Sequence, residues 1–299
     1  MAALGGVNVS LADRDINFFQ SNPALAGDSL AGMASASYQF YVADIGQATF
    51  SYAHPFKRVG SLMFGIQHMR YGNLTSYDAT GAEIGNFDSG ETMLMVGKNH
   101  SISNFRLGAN LKMTFSNLAG YRASALLVDL GGVFIHPEQD LRIGLVVKNL
   151  GVVLVDYSES SQANLPFDVQ VGATFKPAHM PFRFSLTAYN LTETDIPYYN
   201  PADGGDEPTT LNKVMSRMNV GVELLLHRNV NVLVGYNYLR HQELKLSNGG
   251  GGAGLTFGFS ARIKTAEFVF SRSAYVSGQA GYAFTLSTNV NKLLMRRSI

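Results

Sequence analysis

The chain contains no cysteine and no tryptophan, and few of its residues are charged. The absence of cysteine excludes disulfides, thiolate metal ligands and thiol chemistry. Charged residues make up 15% of the 299 residues, whereas soluble domains carry about 25%. A formal net charge of +1 gives no basis for binding nucleic acid or an acidic substrate.

Long hydrophobic runs are also missing. No apolar stretch approaches the roughly 18–20 residues that a transmembrane helix needs. Residues Met1–Gly6 lack the basic and apolar regions of a signal peptide. The chain is therefore either cytosolic or has lost its signal, and the strand pattern described next favours export and removal.

Apolar residues instead alternate with polar ones, most clearly between Leu255 and Leu286. On a strand, a period of two places the apolar residues on one face and Thr256, Arg262 and Glu267 on the other. In a soluble sandwich the polar face would point outward. In a membrane barrel the apolar face contacts lipid and the polar face lines the lumen.

The same alternation recurs along most of the chain. The polar faces carry charges of both signs, which are difficult to bury in a dry core but fit a wet lumen. The predicted strands are 33–42, 45–54, 61–72, 91–99, 105–116, 121–135, 141–154, 166–176, 182–192, 214–226, 229–242, 253–263, 265–273 and 279–289. The sequence therefore predicts an all-β fold, a transmembrane antiparallel β-barrel of about 14 strands.

The connections alternate in length. Short ones follow even-numbered strands, and the long ones, around 73–90, 150–165, 193–213 and 243–252, follow odd-numbered strands. Outer-membrane barrels have short periplasmic turns and longer extracellular loops. The pattern predicts a bacterial outer-membrane protein whose two termini are periplasmic.

Residues 1–32 do not alternate. Their glycines and the Asn22–Pro23 turn predict a compact irregular segment, for which the lumen is the natural location. The predicted division is a hatch over 1–32, a barrel over 33–290, and a strand end or periplasmic tail over 291–299.

No motif amounts to an active site or a cofactor site. Five histidines fall at predicted short turns without metal-ligand spacing, so polar rim residues are the better interpretation. The run 248–254 lacks the Gly-Lys-Ser/Thr ending of a phosphate loop, and 203–207 lacks the ligand spacing of a calcium loop. Asp13 and Asp15 are an acid–base pair in principle but more typical of turns or of partners for lumenal arginines. We expect no catalysis, metal or cofactor.

Two parts of the first 32 residues, Ala3–Asp13 and Ser21–Leu25, resemble the long-chain fatty-acid transporter superfamily of outer-membrane barrels. The resemblance implies a hatch inside a fourteen-stranded barrel. Asp13, Arg14, Asn22 and Pro23 are the predicted hatch residues.

Within that superfamily, the segments Asn17–Leu25, Gly108–Lys112, Leu145–Gly151 and Ala178–Leu186 are similar to the PorQ family of type IX secretion proteins of Bacteroidota. The resemblance implies a non-catalytic anchor in the cell-surface attachment complex. It would hold a soluble PorZ-like protein beside the sortase PorU and its barrel PorV, with outer-membrane lipid or lipopolysaccharide around it.

The long loops would make the partner contact. Candidate contact residues are the aromatics Tyr77, Phe87, Tyr157, Tyr198 and Tyr199. The alternative is that these aromatics fold back onto the barrel.

Two other functions compete with anchoring. Transport of a hydrophobic small molecule would need an apolar pocket and a kinked strand, and Gly131–Gly132 could provide the bulge or simply relieve crowding around a hatch. A general diffusion porin is disfavoured because residues 1–32 would block the lumen.

Overall fold

The computed structural model describes residues 1–158, 164–193, 209–244, 252–275 and 279–295. Within these ranges the chain forms a closed barrel of fourteen strands. Each strand pairs antiparallel with its sequence neighbours, and the first pairs with the last. The strands are β1 (Met33–Phe40), β2 (Gly46–Phe56), β3 (Gly60–Tyr77), β4 (Glu83–Ile102), β5 (Phe105–Leu118), β6 (Tyr121–Ile135), β7 (Asp140–Val155), β8 (Asp168–Lys176), β9 (Phe182–Ala188), β10 (Met218–His227), β11 (Val230–Asn237), β12 (Leu255–Ile263), β13 (Ala266–Ala274) and β14 (Ala280–Asn289). The predicted barrel is confirmed.

The prediction of a long loop around 73–90 is wrong, because most of this stretch forms a hairpin. Beyond a register shift after Arg70, β3 and β4 continue to pair as far as Tyr77 and Glu83. The Asp78 carboxylate closes the turn by accepting hydrogen bonds from the Thr80 and Ala82 amides, at 2.8 and 2.9 Å. A hydrogen bond from the Thr80 hydroxyl, together with these two amide bonds, lowers the pKa of Asp78.

Strand β11 also differs from the prediction, since it ends five residues earlier than position 242. Its last residue, Asn237, accepts a hydrogen bond from the Arg240 amide at 2.9 Å, which is how an N-cap starts a helix. Helix α2 (Tyr238–Leu244) follows directly. The other helices in the described ranges are α1 (Thr210–Met215) and α3 (Val290–Met295), and none of the three is long and apolar enough to cross a membrane.

The outward face of the barrel is apolar over the height of a membrane. On β5 the side chains of Phe105, Leu107, Leu111, Met113 and Phe115 are all exposed. Ten residues of strand span about 33 Å, or about 25 Å of height at the tilt usual for membrane barrels. This height matches the lipid-facing band of outer-membrane barrels.

The wall has two heights. Strands β3 to β7 have 14 to 20 residues, whereas β8 to β14 have 7 to 10. The barrel therefore rises higher on the β3–β7 side, at the end that carries the longer connections. The start of β1 and the end of β14 pair at the opposite end, through Met33 and Asn289.

Residues 1–32 form short 3₁₀ helices at Ala2–Leu4, Ile16–Gln20, Pro23–Leu25 and Asp28–Leu30. The side chains of Asp15 and Asn22 cap the second and third by accepting from the Asn17 and Ala24 amides. Burial raises the pKa of Asp15. The apolar side chains of the segment are buried against inward-facing wall residues such as Met63, Val133 and Leu233. The role of this segment as a hatch stays a prediction.

Candidate functional site

Glycines on the inward face of the wall allow the N-terminal segment to approach the strands closely. A Cβ atom added to Gly131 would overlap Asn22 and Pro23, and one added to Gly144 would overlap the Val9 carbonyl. A Cβ on Gly132 would instead make ordinary contact with the outward Leu107 side chain. Gly131 therefore relieves crowding, while the β6–β7 pairing shifts register elsewhere, between Ser124 and Ala125 and between Val128 and Leu130.

Charged groups of the segment pair with charges on the wall. The Asp13 carboxylate accepts two hydrogen bonds from the Arg106 guanidinium, each at 3.1 Å. Arg14 lies 2.7 Å from Glu267 and 3.7 Å from Glu223. These contacts give Asp13 and Arg14 a structural role, which agrees with the interpretation of Asp13 as a partner of a lumenal arginine.

Asn22 and Pro23 make polar contacts at the centre of the segment. The side-chain nitrogen of Asn22, Nδ2, lies 2.9 Å from the Val9 carbonyl and 3.2–3.3 Å from the wall carbonyls of Gly132 and Leu145. The Pro23 carbonyl accepts from the Asn99 side chain at 3.1 Å. The structure thus brings all four predicted hatch residues into contact with the wall.

Sequence reasoning did not single out the wall residues that receive these groups. Arg106, Glu223 and Glu267 each occupy an inward position of an alternating strand. The inward position of each residue was visible in the sequence. Their ion pairs with the N-terminal segment depend on barrel closure, which brings β5, β10 and β13 around one segment, and the sequence does not show which strands face each other across the lumen.

The β6–β7 irregularity between Val128 and Leu130 contains a buried ion pair. Lys112 Nζ lies 2.6 Å from the Asp129 carboxylate, and both side chains are almost completely buried. The same carboxylate accepts from the Asn149 amide at 2.9 Å. Asn149 has a positive φ of 60°, so the bulge is held by a specific polar network.

A cavity of about 300 Å³ lies in the lumen beside the β6–β7 irregularity at Ser124 and Ala125, both of which line it. Its lining mixes apolar Met69, Met93 and Leu127 with polar Gln67 and Glu91. Residues of β3 to β7, Tyr157 and residues 164–166 line it.

A second cavity, of about 1130 Å³, is lined mostly by outward-facing residues of the same wall, together with Ser89, Ser116 and Ala123. Its charged and titratable members are Asp44, His68, Arg70, Asp88 and Arg122. Within the described residues, no group of three or more histidine, aspartate or glutamate side chains is placed to hold a metal ion.

The predicted contact aromatics have different surroundings. Tyr77 is 62% exposed at the end of the β3–β4 hairpin, whereas Phe87 is half-buried and pairs with Leu74. Tyr157 folds back, because its hydroxyl donates to the inward Ser116 at 2.6 Å. Tyr198 and Tyr199 lie outside the described residues.

The chain matches no family model and no curated protein. Among solved structures, a TodX monoaromatic hydrocarbon channel with two deletions is 11% identical, covers 96% of this chain and 97% of its own length, and has a TM-score of 0.57. A TodX variant with one deletion is 13% identical, with 95% coverage of each chain and a TM-score of 0.52. The chain therefore shares the overall barrel fold of these TodX channels. Together with the lipid-facing band, this fold supports an outer-membrane location.

A third similar structure is a Pseudomonas aeruginosa FadL homologue, 11% identical over 97% of each chain, with a TM-score of 0.49.

Proposed function

We propose that this protein is a plugged, non-catalytic outer-membrane barrel that anchors a soluble partner at the cell surface, as the PorQ-type anchors of type IX secretion do. In this proposal residues 1–32 are the plug, both termini are periplasmic, and the partner is a PorZ-like protein held near a PorU/PorV-type sortase complex. Bacteroidota would be the source.

The observation that carries the proposal is an ordered surface at the end with the longer connections. We call it the hairpin platform and define it as residues 71–89 of the β3–β4 hairpin and residues 117–122 around the β5–β6 turn. Its exposed apolar and aromatic side chains are Tyr77, Ile84, Leu118 and Tyr121, with exposed fractions of 62%, 65%, 48% and 61%.

Both turns of the platform have defined geometry. Asp78 organises the first, and Ala119 and Gly120 both have positive φ in the second, as a two-residue hairpin turn of type I′ requires. Exposed tyrosines on a rigid support are typical of protein interfaces. The platform extends beyond the outward apolar band, so lipid does not account for its apolar side chains.

The N-terminal segment supports a plugged barrel over a diffusion porin. It contacts inward residues on opposite sides of the wall, including Arg106 on β5 and Thr256 on β12. An aqueous path wide enough for general solutes would have to displace it.

One observation favours the alternative, transport of a hydrophobic small molecule. The lumenal cavity touches Met69, Met93, Leu127 and Val153 and lies beside the β6–β7 irregularity between Ser124 and Ala125. This geometry would suit a small apolar molecule entering near a kinked strand. The N-terminal segment contacts the wall near the β4–β5 turn, through Arg106, and at the opposite end of the wall, through Asn237, so its displacement would have to complete the path.

An affinity pull-down of the full chain from its native outer membrane tests the anchoring proposal. We expect a soluble surface protein to co-purify with the native barrel and to be lost from the variant Y77A/I84A. Removing two exposed apolar side chains at an interface centre should weaken binding by about 2–4 kcal/mol. The control is Thr75→Ala, an exposed residue of the same hairpin, which should retain the partner.

The opposite result is equally specific. If no surface protein co-purifies and lipid extraction yields one apolar molecule per barrel, the anchoring proposal fails and the transport alternative replaces it. Equal recovery of the partner with Y77A/I84A would remove the platform from the proposal.

A further inference from the structure

The cavity of about 1130 Å³, which we call the outer-wall cavity, lies where the outward face changes from apolar to polar. Four exposed apolar residues pair directly across β3 to β6, namely Ile66, Leu94, Met113 and Leu126. Two residues further along each strand, the outward row is His68, Thr92, Phe115 and Ser124, and the next is Arg70, Gly90, Asn117 and Arg122. Both of these rows line the cavity.

Two arginines border the cavity floor. Arg70 and Arg122 are separated by three strand spacings, about 14 Å, and both are exposed. Neither joins an ion pair within the ranges that the structure describes. Gly90 and Asn117 lie between them in the same row. Because Gly90 has no side chain and that of Asn117 is short, each guanidinium can reach a ligand above these two residues.

The remaining side chains of the cavity include hydrogen-bond acceptors and an aromatic ring, which are the groups that bind a sugar. Asp44, Asp88 and Asn117 offer acceptors for hydroxyl groups. Phe115 exposes 41% of its surface in the adjacent row, where a ring can pack against the apolar face of a sugar. The His68 ring and the Thr92 hydroxyl are hydrogen-bonded to each other at 2.9 Å.

We propose that this cavity binds the phosphorylated sugar headgroup of an outer-leaflet glycolipid. Arg70 and Arg122 bind phosphate groups, for which the planar guanidinium is well suited. The acyl chains lie along the exposed row of Ile66, Leu94 and Met113. The inference rests on the proposed orientation, in which the end with the longer connections faces the cell exterior.

Both charge and position favour this class of ligand. A free sugar phosphate would use the arginines but leave the adjacent apolar row uncovered. A simple anionic phospholipid offers a single phosphate and no sugar ring to pack against Phe115. Only a phosphorylated glycolipid offers phosphate to the arginines, a sugar ring to Phe115 and acyl chains to the apolar row together.

The test uses the full chain in detergent micelles and counts bound lipid by native mass spectrometry. The probes are diphosphoryl lipid A, phosphatidylglycerol and glucose 1-phosphate. The test variant is R70Q/R122Q, and the control is R272Q. Arg272 is an exposed arginine that lies in the same outward row through Tyr282, Phe40 and Gly46 but is outside the cavity.

We expect the native protein and R272Q to retain one diphosphoryl lipid A, and R70Q/R122Q to bind it about tenfold or more weakly. Phosphatidylglycerol and glucose 1-phosphate should bind weakly to all three. All three proteins are first shown to be folded by heat-modifiable migration in gels.

Three results would overturn the inference. They are equal lipid A affinity in all three proteins, phosphatidylglycerol binding as tight as lipid A, and glucose 1-phosphate binding as tight as lipid A. The second would indicate general attraction to anionic lipid, and the third a site for a free sugar phosphate. No protein partner is present in this assay, so its failure is distinguishable from failure of the anchoring proposal.

Discussion

Replacing Gly131 by leucine should displace the N-terminal segment and give the barrel a measurable conductance. The new side chain would occupy the space of Asn22 and Pro23, and the segment backbone would have to move away from the wall. Overpacking of this kind costs about 1–3 kcal/mol where side chains can adjust, and more is expected where backbone must move. Planar-bilayer recordings should show open channels for G131L and closed barrels for the native chain.

The neighbouring glycine provides the matched control. Gly132 faces outward, where an added side chain meets only Leu107 at ordinary contact distance and the Arg106 carbonyl at 4.0 Å. G132L should therefore remain closed. Limited proteolysis gives an independent measurement, because residues 1–32 should be cleaved at least about tenfold faster in G131L. Equal conductance and equal cleavage in the two variants would show that the close approach at Gly131 does not hold the segment in place.

Replacing Lys112 by methionine should destabilise the barrel by about 3–5 kcal/mol, the usual result of removing one partner of a buried ion pair. The Asp129 carboxylate would remain buried without its cation, because its side chain is completely inaccessible. Denaturant titration in detergent, followed by intrinsic tyrosine fluorescence and gel migration, measures the loss.

The double variant K112M/D129N tests the cause of that loss. An asparagine at position 129 carries no charge and can still accept the hydrogen bond from the Asn149 amide that Asp129 accepts at 2.9 Å. We expect K112M/D129N to recover most of the lost stability. If it is as unstable as K112M, packing around the methionine, and not the uncompensated charge, is responsible.

The barrel could be predicted from the sequence because its signal is local. Alternation such as that of Leu107, Leu111 and Phe115 against Arg106 and Lys112 requires only neighbouring residues. A strand whose two faces have opposite character has one orientation in a membrane wall. The strand count follows from repeating this local test along the chain.

The predicted strand ends were wrong where strand pairing or helix capping determines the end of a strand. Leu74 and Phe87 are far enough apart in sequence to suggest a loop, yet they pair across a continued hairpin. At the end of β11, alternation favours a strand, but the Asn237 side chain caps α2 and ends it. Neither effect is visible in hydrophobic periodicity.

The candidate sites were harder to predict for the same reason. Arg70 and Arg122 are 52 positions apart in the sequence and are placed in one row of the wall by three register pairings. Asp13 could be assigned to turns or to lumenal arginines from the sequence. Only the closed barrel identifies Arg106 as its partner.

The contacts of the N-terminal segment also determine an order of assembly. Leu4 and Val7 accept hydrogen bonds from Asn219 on β10, the Ala3 carbonyl accepts from Thr256 on β12, and Arg14 pairs with Glu267 on β13. The segment that precedes all fourteen strands in the chain thus requires strands from the second half of the barrel. The segment has no complete binding surface until the barrel closes, so it must remain undocked throughout insertion and dock as a late step of folding.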